Sequence, residues 1–302
     1  MRTWFLRLAW LAGIFFAAVA ALFAVAWFKA EADMARVYEV NDAPLRLAGD
    51  EAERERGAHL YRVGGCVECH GEGGRGKVFI DAGPVARVVA PNLTPAVLGT
   101  RYDADAIGVA IRHGLDPQGR PLRIMPAGDF MNLSDADTAA LAAYLQSLPD
   151  SDNDPGATEI RPLGRVLHLL GKLHLVPAAG IDHSPRRREA IAPAATAEYG
   201  AYLAQVCTGC HGADWAGQRV PGTPPELPPA ANLTPHENGL AGWSEADFAR
   251  ALRQGLRPDG SQLHPFMPWG AYGAMTETEV SALWLHLSKL PAKPGQPKAR
   301  KP

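Results

Sequence analysis

The chain has 302 residues, of which 47% are hydrophobic and 21% are charged. This length suits about two domains, and the composition excludes a largely disordered chain. The formal net charge is −2 at pH 7, so nothing indicates a nucleic-acid partner. The 31 glycines and 26 prolines favour short helices joined by long ordered loops.

An apolar run without charges, Leu8 to Phe28, begins close to the N-terminus. As a helix it would be roughly 31 Å long, enough to cross the hydrocarbon core of a bilayer. Arg2 and Arg7 precede the run and acidic residues follow it, and positive flanks stay in the cytoplasm. We therefore predict that residues 1–30 anchor a single-pass protein in the bacterial inner membrane, with everything after them on the periplasmic side.

A cleaved signal peptide is the alternative for this segment, because small residues suited to cleavage end at Ala20 and at Ala26. The apolar core of a signal peptide is typically about 7–15 residues long, and this run is longer. The length favours retention as an anchor, and both alternatives send the rest of the chain to the same side.

All four cysteines lie in two Cys-x-x-Cys-His runs, Cys66 to His70 and Cys207 to His211. Two thiols three residues apart lie on one face of a helical turn, from which they reach two vinyl groups of one haem. The histidine that follows points its imidazole at the iron. The sequence therefore predicts two haem c groups, with thioether bonds to Cys66, Cys69, Cys207 and Cys210 and iron ligation by His70 and His211.

A zinc site and a redox-active dithiol are the alternatives for these cysteines. The two pairs of a zinc ribbon are usually about 15–20 residues apart, whereas Cys69 and Cys207 are 138 positions apart. A histidine also follows each pair, which favours haem.

The chain repeats itself at a nearly constant offset. The histidines of the haem motifs are 141 positions apart, the two Asn-Leu-Thr-Pro runs 140 and the two Met-Pro pairs 142. A steady offset of this kind indicates one module used twice. We therefore predict a first module at 50–149, an interdomain linker at 150–196, a second module at 197–291 and a disordered tail at 292–302.

Helical periodicity dominates both modules and no stretch alternates convincingly as a strand, which predicts an all-α fold. Helices are expected before each haem motif, over Asp105 to Gly114, and over Ser134 to Leu148 with its counterpart Thr276 to Leu290. The linker segment Leu163 to Leu175 predicts a short amphipathic helix, packed between the modules or resting on the membrane surface. Its shortness favours the position between the modules.

The sixth iron ligand has to come from elsewhere in each module. Of the six methionines only Met125 and Met267 are equivalent in the repeat, and a proline follows each. A lone methionine is more often a core residue, but the repeat favours these two as axial ligands. His113, His264 and His286 are the competitors, and none of them is shared by both copies.

These features resemble class I cytochrome c domains: a helix with Gly57 or Gly200 before the haem motif, a distal Met-Pro pair and a final helix ending in Leu-Pro. The resemblance covers both modules and implies tandem class I cytochrome c domains after one transmembrane helix. In that family the first and last helices cross at the glycine. This implies contacts of Gly57 with Tyr144 and of Gly200 with His286 or Leu285.

The Asn-Leu-Thr-Pro run and the ending of the first module are similar to the cytochrome c subunits of membrane-bound periplasmic dehydrogenases that oxidise alcohols or gluconate. Those subunits typically carry three modules and a C-terminal anchor, whereas this chain has two modules and an N-terminal one. Family domains also often bond the proximal histidine to a backbone carbonyl near a proline. Pro91 fits that role, but the second module has Ala231 there, so the partners of the histidines stay open.

A methionine ligand raises the reduction potential and closes the sixth position of the iron, which suits electron transfer rather than bond-making chemistry. The sequence therefore predicts an electron-transfer protein without catalytic residues. It would carry electrons from a dehydrogenase or quinol-oxidising complex to another cytochrome or a terminal oxidase of a respiratory chain. A dihaem enzyme, such as a cytochrome c peroxidase or a thiosulfate dehydrogenase, is the alternative, and a third is a permanent subunit whose haems are internal relays.

Overall fold

The computed structural model describes residues 2–184, 188–220, 223 and 226–295. In chain order its helices are α1 (Arg2–Met34), α2 (Glu51–Val63), α3 (Cys66–His70), α4 (Pro95–Leu98), α5 (Ala104–His113), α6 (Asp135–Ser147), α7 (Pro162–Leu169), α8 (Ala197–Ala204), α9 (Thr208–His211), α10 (Glu245–Gln254), α11 (Trp269–Tyr272) and α12 (Glu277–Leu287). The strands are β1 (Lys77–Asp81), β2 (Ala86–Ala90) and β3 (Glu159–Ile160). Short 3-10 turns at Ala127–Asp129 and Gln205–Cys207 enter the sites described below.

Each module is built on one crossing of its first and last helices. At Gly57 an added Cβ would lie 2.0 Å from the carbonyl oxygen of Ala140, and the Cβ of Tyr144 would be 2.6 Å away. At Gly200 the corresponding distance to the carbonyl oxygen of Ala282 is 1.9 Å, with the Cβ of His286 at 2.9 Å. The expected close approach of α2 to α6 and of α8 to α12 is therefore present, and only glycine fits it.

The ends of the helices follow from local side chains. Ser134 accepts a hydrogen bond from the backbone N–H of Asp137 and so caps α6, as the sequence predicts. Thr276 and Glu279 cap α12 reciprocally, since each side chain bonds the backbone N–H of the other residue. α5 ends at Gly114, whose φ of +64° is a left-handed conformation that favours glycine.

The expectation of an all-α fold misses a small antiparallel sheet in the order β1-β2-β3. β2 pairs with β1 on one side and with β3 from the linker on the other. Every residue of β1 is exposed, so this strand has no buried face and its sequence shows no alternation. β1 is held by backbone pairing with β2, which a hydrophobic pattern does not reveal.

The linker helix α7 does not lie between the modules. It packs against the last turns of α1, where Ala26, Ala30 and Met34 are buried. A guanidinium nitrogen of Arg165 lies 2.6 Å from the carboxylate of Glu31. The linker thereby joins α1 to the first module, because its apolar residues share a core with that module: Ala30, Met34, Ala86, Leu115, Ile160, Leu175, Val176 and Ala178.

The predicted tail begins as ordered chain. The carbonyl oxygen of Lys293 accepts a hydrogen bond of 2.8 Å from the side-chain amide of Asn232. In the first module the equivalent Asn92 bonds the carbonyl oxygen of Ser151 at 2.8 Å. The asparagine of each Asn-Leu-Thr-Pro run thus binds the segment after the last helix, so residues 292–295 belong with the second module. The remainder of the tail, 296–302, lies outside the described residues.

The two modules meet through contacts that the repeat duplicates. The hydroxyl of Tyr202 donates to Asp137 at 2.6 Å, and Nε2 of the equivalent His59 lies 2.8 Å from Glu279. Asp137 and Glu279 occupy the same position in α6 and α12. α8 of the second module thus contacts α6 of the first, and α2 of the first module makes the equivalent contact with α12 of the second. These reciprocal contacts give the interface an approximate two-fold symmetry.

Glu279 is the most buried carboxylate of this interface, with 2% exposure. Burial raises its pKa, but hydrogen bonds from His59 and the backbone of Thr276 and the charge of Arg56 outweigh burial and bring it to about 2. The carboxylate therefore stays charged at neutral pH and holds His59 and Arg56 of the other module.

We expect Glu279→Ala to lower the free energy of unfolding by about 2 kcal/mol, because it leaves the partly buried guanidinium of Arg56 without this carboxylate and His59 without its hydrogen-bond partner. Glu277→Ala is the matched control in the same helical turn. Glu277 pairs with Arg253 at 2.9 Å but its side chain is 81% exposed, so its loss is expected to cost about 0–1 kcal/mol. Thermal unfolding followed by circular dichroism measures both, and equal effects of the two substitutions would contradict this account of the interface.

Candidate haem sites

The two haem motifs adopt similar short helices. Cys66, Cys69 and His70 all lie in α3. In the second module Cys207 ends a 3-10 turn and α9 carries Cys210 and His211. None of the four cysteines is part of a disulfide bond. The structure therefore brings the two thiols and the histidine of each motif together on one turn, as their spacing predicts.

A backbone carbonyl orients each motif histidine. Nδ1 of His70 lies 2.9 Å from the carbonyl oxygen of Pro91, and Nδ1 of His211 lies 2.7 Å from that of Ala231. The sequence left the hydrogen-bond partners of the two histidines open. The structure shows that they are equivalent, because every residue has a backbone carbonyl, whether it is proline or alanine. The bond places the proton on Nδ1, and among the described residues Nε2 of neither histidine has a hydrogen-bond partner, so Nε2 is free to bind a metal.

Burial sets the charge state of these groups. It lowers the pKa of His70 and of His211, although the carbonyl contacts act in the opposite direction. It raises the thiol pKa to about 12 for Cys66 and Cys207 and to about 11 for Cys69. A redox-active dithiol needs a lowered thiol pKa. The raised pKa of these thiols does not fit that role.

The Asn-Leu-Thr-Pro runs hold the carbonyls in place. Asn92 directly follows Pro91, and its side-chain oxygen accepts hydrogen bonds from the backbone and the hydroxyl of Thr94, at 2.9 and 2.8 Å. Asn232 does the same for Thr234, at 2.8 Å in both bonds. These side chains are buried in both modules. Each Asn-Leu-Thr-Pro run therefore holds in position the preceding residue, whose carbonyl accepts the hydrogen bond from the motif histidine.

The predicted methionine ligands lie in equivalent turns. The backbone N–H of Ala127 donates to the carbonyl of Met125, and that of Trp269 to the carbonyl of Met267, both at 2.8 Å. The prolines after them have the same conformation, with φ −80° and ψ 55° at Pro126 and φ −80° and ψ 54° at the other. Both methionines are half-buried.

The segments after the methionines reach the attachment motifs. Phe130, five residues after Met125, lines the same cavity as Cys66. Tyr272, five residues after Met267, occupies the equivalent place. Burial beside Cys207 and Cys210 raises the pKa of its hydroxyl well above the usual value.

The competing histidines have other roles. His113 is fully buried, with Nε2 2.9 Å from Asp42 and Nδ1 3.0 Å from Nδ1 of His183. His286 lies edge-on to Trp215, and His264 is exposed. These contacts agree with their lack of equivalence in the repeat. No cluster of three or more metal-binding side chains is found among the described residues.

Comparison with known proteins decides the family of the first module. The family model named cytochrome c matches residues 54–149. The chain carries a cytochrome c domain. The matched range lies within the stretch that the repeat assigns to the first module, and a cytochrome c domain implies covalently bound haem.

Several curated relatives are cytochrome subunits of dehydrogenases. The chain is 34% identical over 102 residues to the alcohol dehydrogenase (quinone) cytochrome c subunit of Gluconacetobacter polyoxogenes, which covers 32% of this chain and 22% of that protein. It is 33% identical over 91 residues to the fructose dehydrogenase cytochrome subunit of Gluconobacter japonicus, covering 28% and 19%. A diheme cytochrome c-type protein of Cereibacter sphaeroides is 29% identical over 125 residues, covering 37% and 42%. The chain therefore spans about a fifth of the length of the two dehydrogenase subunits and less than half of the diheme protein.

One carboxylate from the cytochrome c domain crosses to the second motif. A Cβ added at Gly209 would lie 2.5 Å from Oδ2 of Asp129, which ends the 3-10 turn after Met125. Burial raises the pKa of Asp129 to about 6. The sequence gives no signal for this contact, since the repeat has Ala271 at the equivalent position.

We expect Asp129 to make the protein less stable as pH rises from about 4 to about 6. In that range the folded protein keeps a proton that the unfolded chain releases, so the folded state binds more protons and loses stability with rising pH. Asp129→Asn should abolish this dependence and be more stable than the parent at pH 7. Unfolding midpoints from pH 4 to 7.5 measure the difference, with the exposed Asp152→Asn as control; parallel profiles for parent and Asp129→Asn would contradict the burial of this carboxyl.

Proposed function

We propose that this chain is a membrane-anchored dihaem c-type cytochrome, with one haem held by each module, that transfers electrons between a dehydrogenase or quinol-oxidising complex and a downstream cytochrome or oxidase. The observation that carries the proposal is the duplicated site. Each module has a half-buried Cys-x-x-Cys-His turn, a carbonyl partner for its histidine and a Met-Pro turn of the same conformation. The second module, 197–291, is thereby proposed as a second cytochrome c domain.

The proposed cofactor binding follows from these contacts. Cys66, Cys69, Cys207 and Cys210 would hold two haem c groups, and His70, Met125, His211 and Met267 would bind their irons. Haem c supplies one-electron exchange at its iron when bound. The carbonyls of Pro91 and Ala231 orient each imidazole through Nδ1, and burial of each histidine favours its neutral form.

The membrane position rests on α1. Among the described residues it is the one helix long and apolar enough to cross a membrane. It runs without a break into the folded protein, where Ala30 is fully buried. Cleavage near Ala20 or Ala26 would interrupt a helix that packs on α7, so continuity supports a retained anchor with both modules on the periplasmic side of the bacterial inner membrane.

The donor is proposed from the relatives. Two of them are cytochrome subunits of an alcohol and a fructose dehydrogenase, so a dehydrogenase of small alcohols or sugars is the proposed source of electrons. The two sites carry the same residue types at the proposed attachment and ligand positions, Cys-x-x-Cys-His and Met, and this equivalence supports two closed electron-transfer sites over the enzymatic alternative.

Purification in mild detergent tests the proposal. We expect two haems per chain by pyridine haemochrome analysis, the weak near-infrared methionine-to-iron band in the ferric protein, and no peroxide turnover. Cys207→Ala with Cys210→Ala should halve the haem content, whereas one haem in the parent protein would overturn the second domain. High-spin iron with peroxide turnover would overturn the electron-transfer role.

Reduction in washed membranes tests the donor. Addition of an alcohol or a sugar should reduce both haems in membranes that contain the chain and its dehydrogenase. Loss of the response on removing that enzyme identifies the donor. Reduction only by a quinol-oxidising complex would reject the dehydrogenase and retain the carrier role.

A further inference from the structure

The helix α7 lies where α1 leaves the hydrocarbon core. The apolar run of α1 ends at Phe28, and the contacts of α7 fall on both sides of that residue. The guanidinium of Arg165 lies 3.8 Å from the ring centre of Trp27, and Nε2 of His168 lies 2.8 Å from Asp33. Trp27 to Asp33 covers about 9 Å along a helix, so α7 sits at the depth of the lipid headgroups.

An apolar stripe that is partly exposed runs along α7: it consists of Leu163 and Leu167 in the helix and of Leu170, which caps its C-terminus. The spacing of four and three residues places them on one face of a helix. Leu163 is 39% exposed and Leu170 is 58% exposed, while Leu167 is half-buried. Gly164 and Arg165 are buried on the sides of the helix away from the stripe, and Val166, which borders the stripe, is buried as well.

The surroundings of the stripe suit a membrane surface. Trp27 is 48% exposed, and tryptophan is enriched at the boundary between lipid and water. Lys172 and His174, just beyond the stripe, are exposed, and basic side chains are attracted to anionic headgroups. A helix with apolar residues on one face and basic residues at its edge is typical of interfacial helices.

We propose that the α7 stripe inserts into the lipid interface beside α1. This rests on the proposed role of α1 as a membrane anchor. A single transmembrane helix leaves a domain free to tilt about it, and a second contact removes that freedom. Because α7 follows β3 directly and β3 pairs with β2, insertion of the stripe fixes the first module at one height and orientation above the bilayer.

A competing occupant, a partner protein on the stripe, predicts a different environment for the same leucines. A protein partner would cover them without lipid contact. In lipid they become accessible to oxygen, which concentrates in the bilayer, and inaccessible to a water-soluble nickel chelate. The two environments are therefore separable by one measurement.

The test uses the full chain with its haems in vesicles of phosphatidylethanolamine and phosphatidylglycerol. Leu170→Cys is labelled with a nitroxide, and power saturation measures its accessibility to oxygen and to the nickel chelate, each as the increment over a nitrogen sample. Phe16→Cys in α1 reports the lipid, and the exposed Ala246→Cys in α10 reports water. The near-infrared band checks that each variant is folded.

We expect the ratio of oxygen to nickel accessibility at Leu170 to exceed that at Ala246 several-fold and to lie below that at Phe16. Leu163→Cys, on the same stripe, should give a similar ratio. A ratio equal to that at Ala246, or low accessibility to both reagents, with Phe16 still in lipid, would overturn the proposal and leave the anchor intact. If the N-terminal segment with Phe16 were cleaved off, or if the accessibility ratio at Phe16 equalled that at Ala246, both proposals would fail: α1 as a membrane anchor and the stripe as a membrane contact.

Discussion

Gly200→Ala is expected to destabilise the second module by about 3 kcal/mol or more. A new Cβ would lie 1.9 Å from the carbonyl oxygen of Ala282, so α8 and α12 must separate before the substituted chain can fold. That crossing carries much of the module's core, and its buried residues lose packing as the helices move apart. Thermal unfolding followed by circular dichroism should show the affected transition lowered by more than about 10 °C.

The matched control lies in the same module. Gly270→Ala, in α11, adds a Cβ with no atom within 4 Å, and its midpoint is expected to change by less than that of Gly200→Ala in either direction. Gly57→Ala should reproduce the large effect in the first module, where the same contact is 2.0 Å long. An unchanged midpoint for Gly200→Ala would show that α8 and α12 do not cross this closely.

These two glycines show what a sequence of this kind reveals. The repeat places Gly57 and Gly200 at the same position, and the family resemblance supplies the crossing partners, which the structure confirms. The attachment turns follow equally well from the spacing of Cys66 and Cys69, because thiol reach and helix geometry are local properties. Local pattern and internal repetition were therefore sufficient for the helices that carry the candidate sites.

Contacts between distant segments were not predictable in the same way. The carbonyl of Ala231 replaces a proline carbonyl, and a backbone atom leaves no residue signature. β1 is exposed at every position, so its pairing has no hydrophobic pattern. The linker helix α7 was expected between the modules, but Arg165 binds Glu31 of α1 instead. An ion pair between residues this far apart in the sequence cannot be recognised from one amino-acid sequence alone.

Met267→Ala is expected to remove the sixth ligand of one haem, to reduce the near-infrared methionine-to-iron band by about half, and to lower one reduction potential by on the order of 100 mV or more. A thioether favours ferrous iron, so its loss stabilises the ferric state. Potentiometric titration of the purified chain measures the shift, since two potentials are expected and only one should move. The double variant with Met125→Ala should lose the band entirely.

Met131→Leu is the control for this prediction, because it removes a nearby methionine that has no equivalent in the repeat. Met131 lies six residues after Met125 and is also half-buried, but the repeat has Gly273 in its place. A ligand role assigned by the repeat requires that Met131→Leu leave the band and both potentials unchanged. If Met131→Leu removed the band and Met125→Ala did not, the ligand would have been assigned to the wrong methionine, and the equivalence of the two modules at the iron would fail with it. If the near-infrared band kept its full intensity in Met267→Ala, that residue would be excluded as a ligand. If each single alanine variant lost half of the intensity, both irons would be shown to have a methionine as sixth ligand.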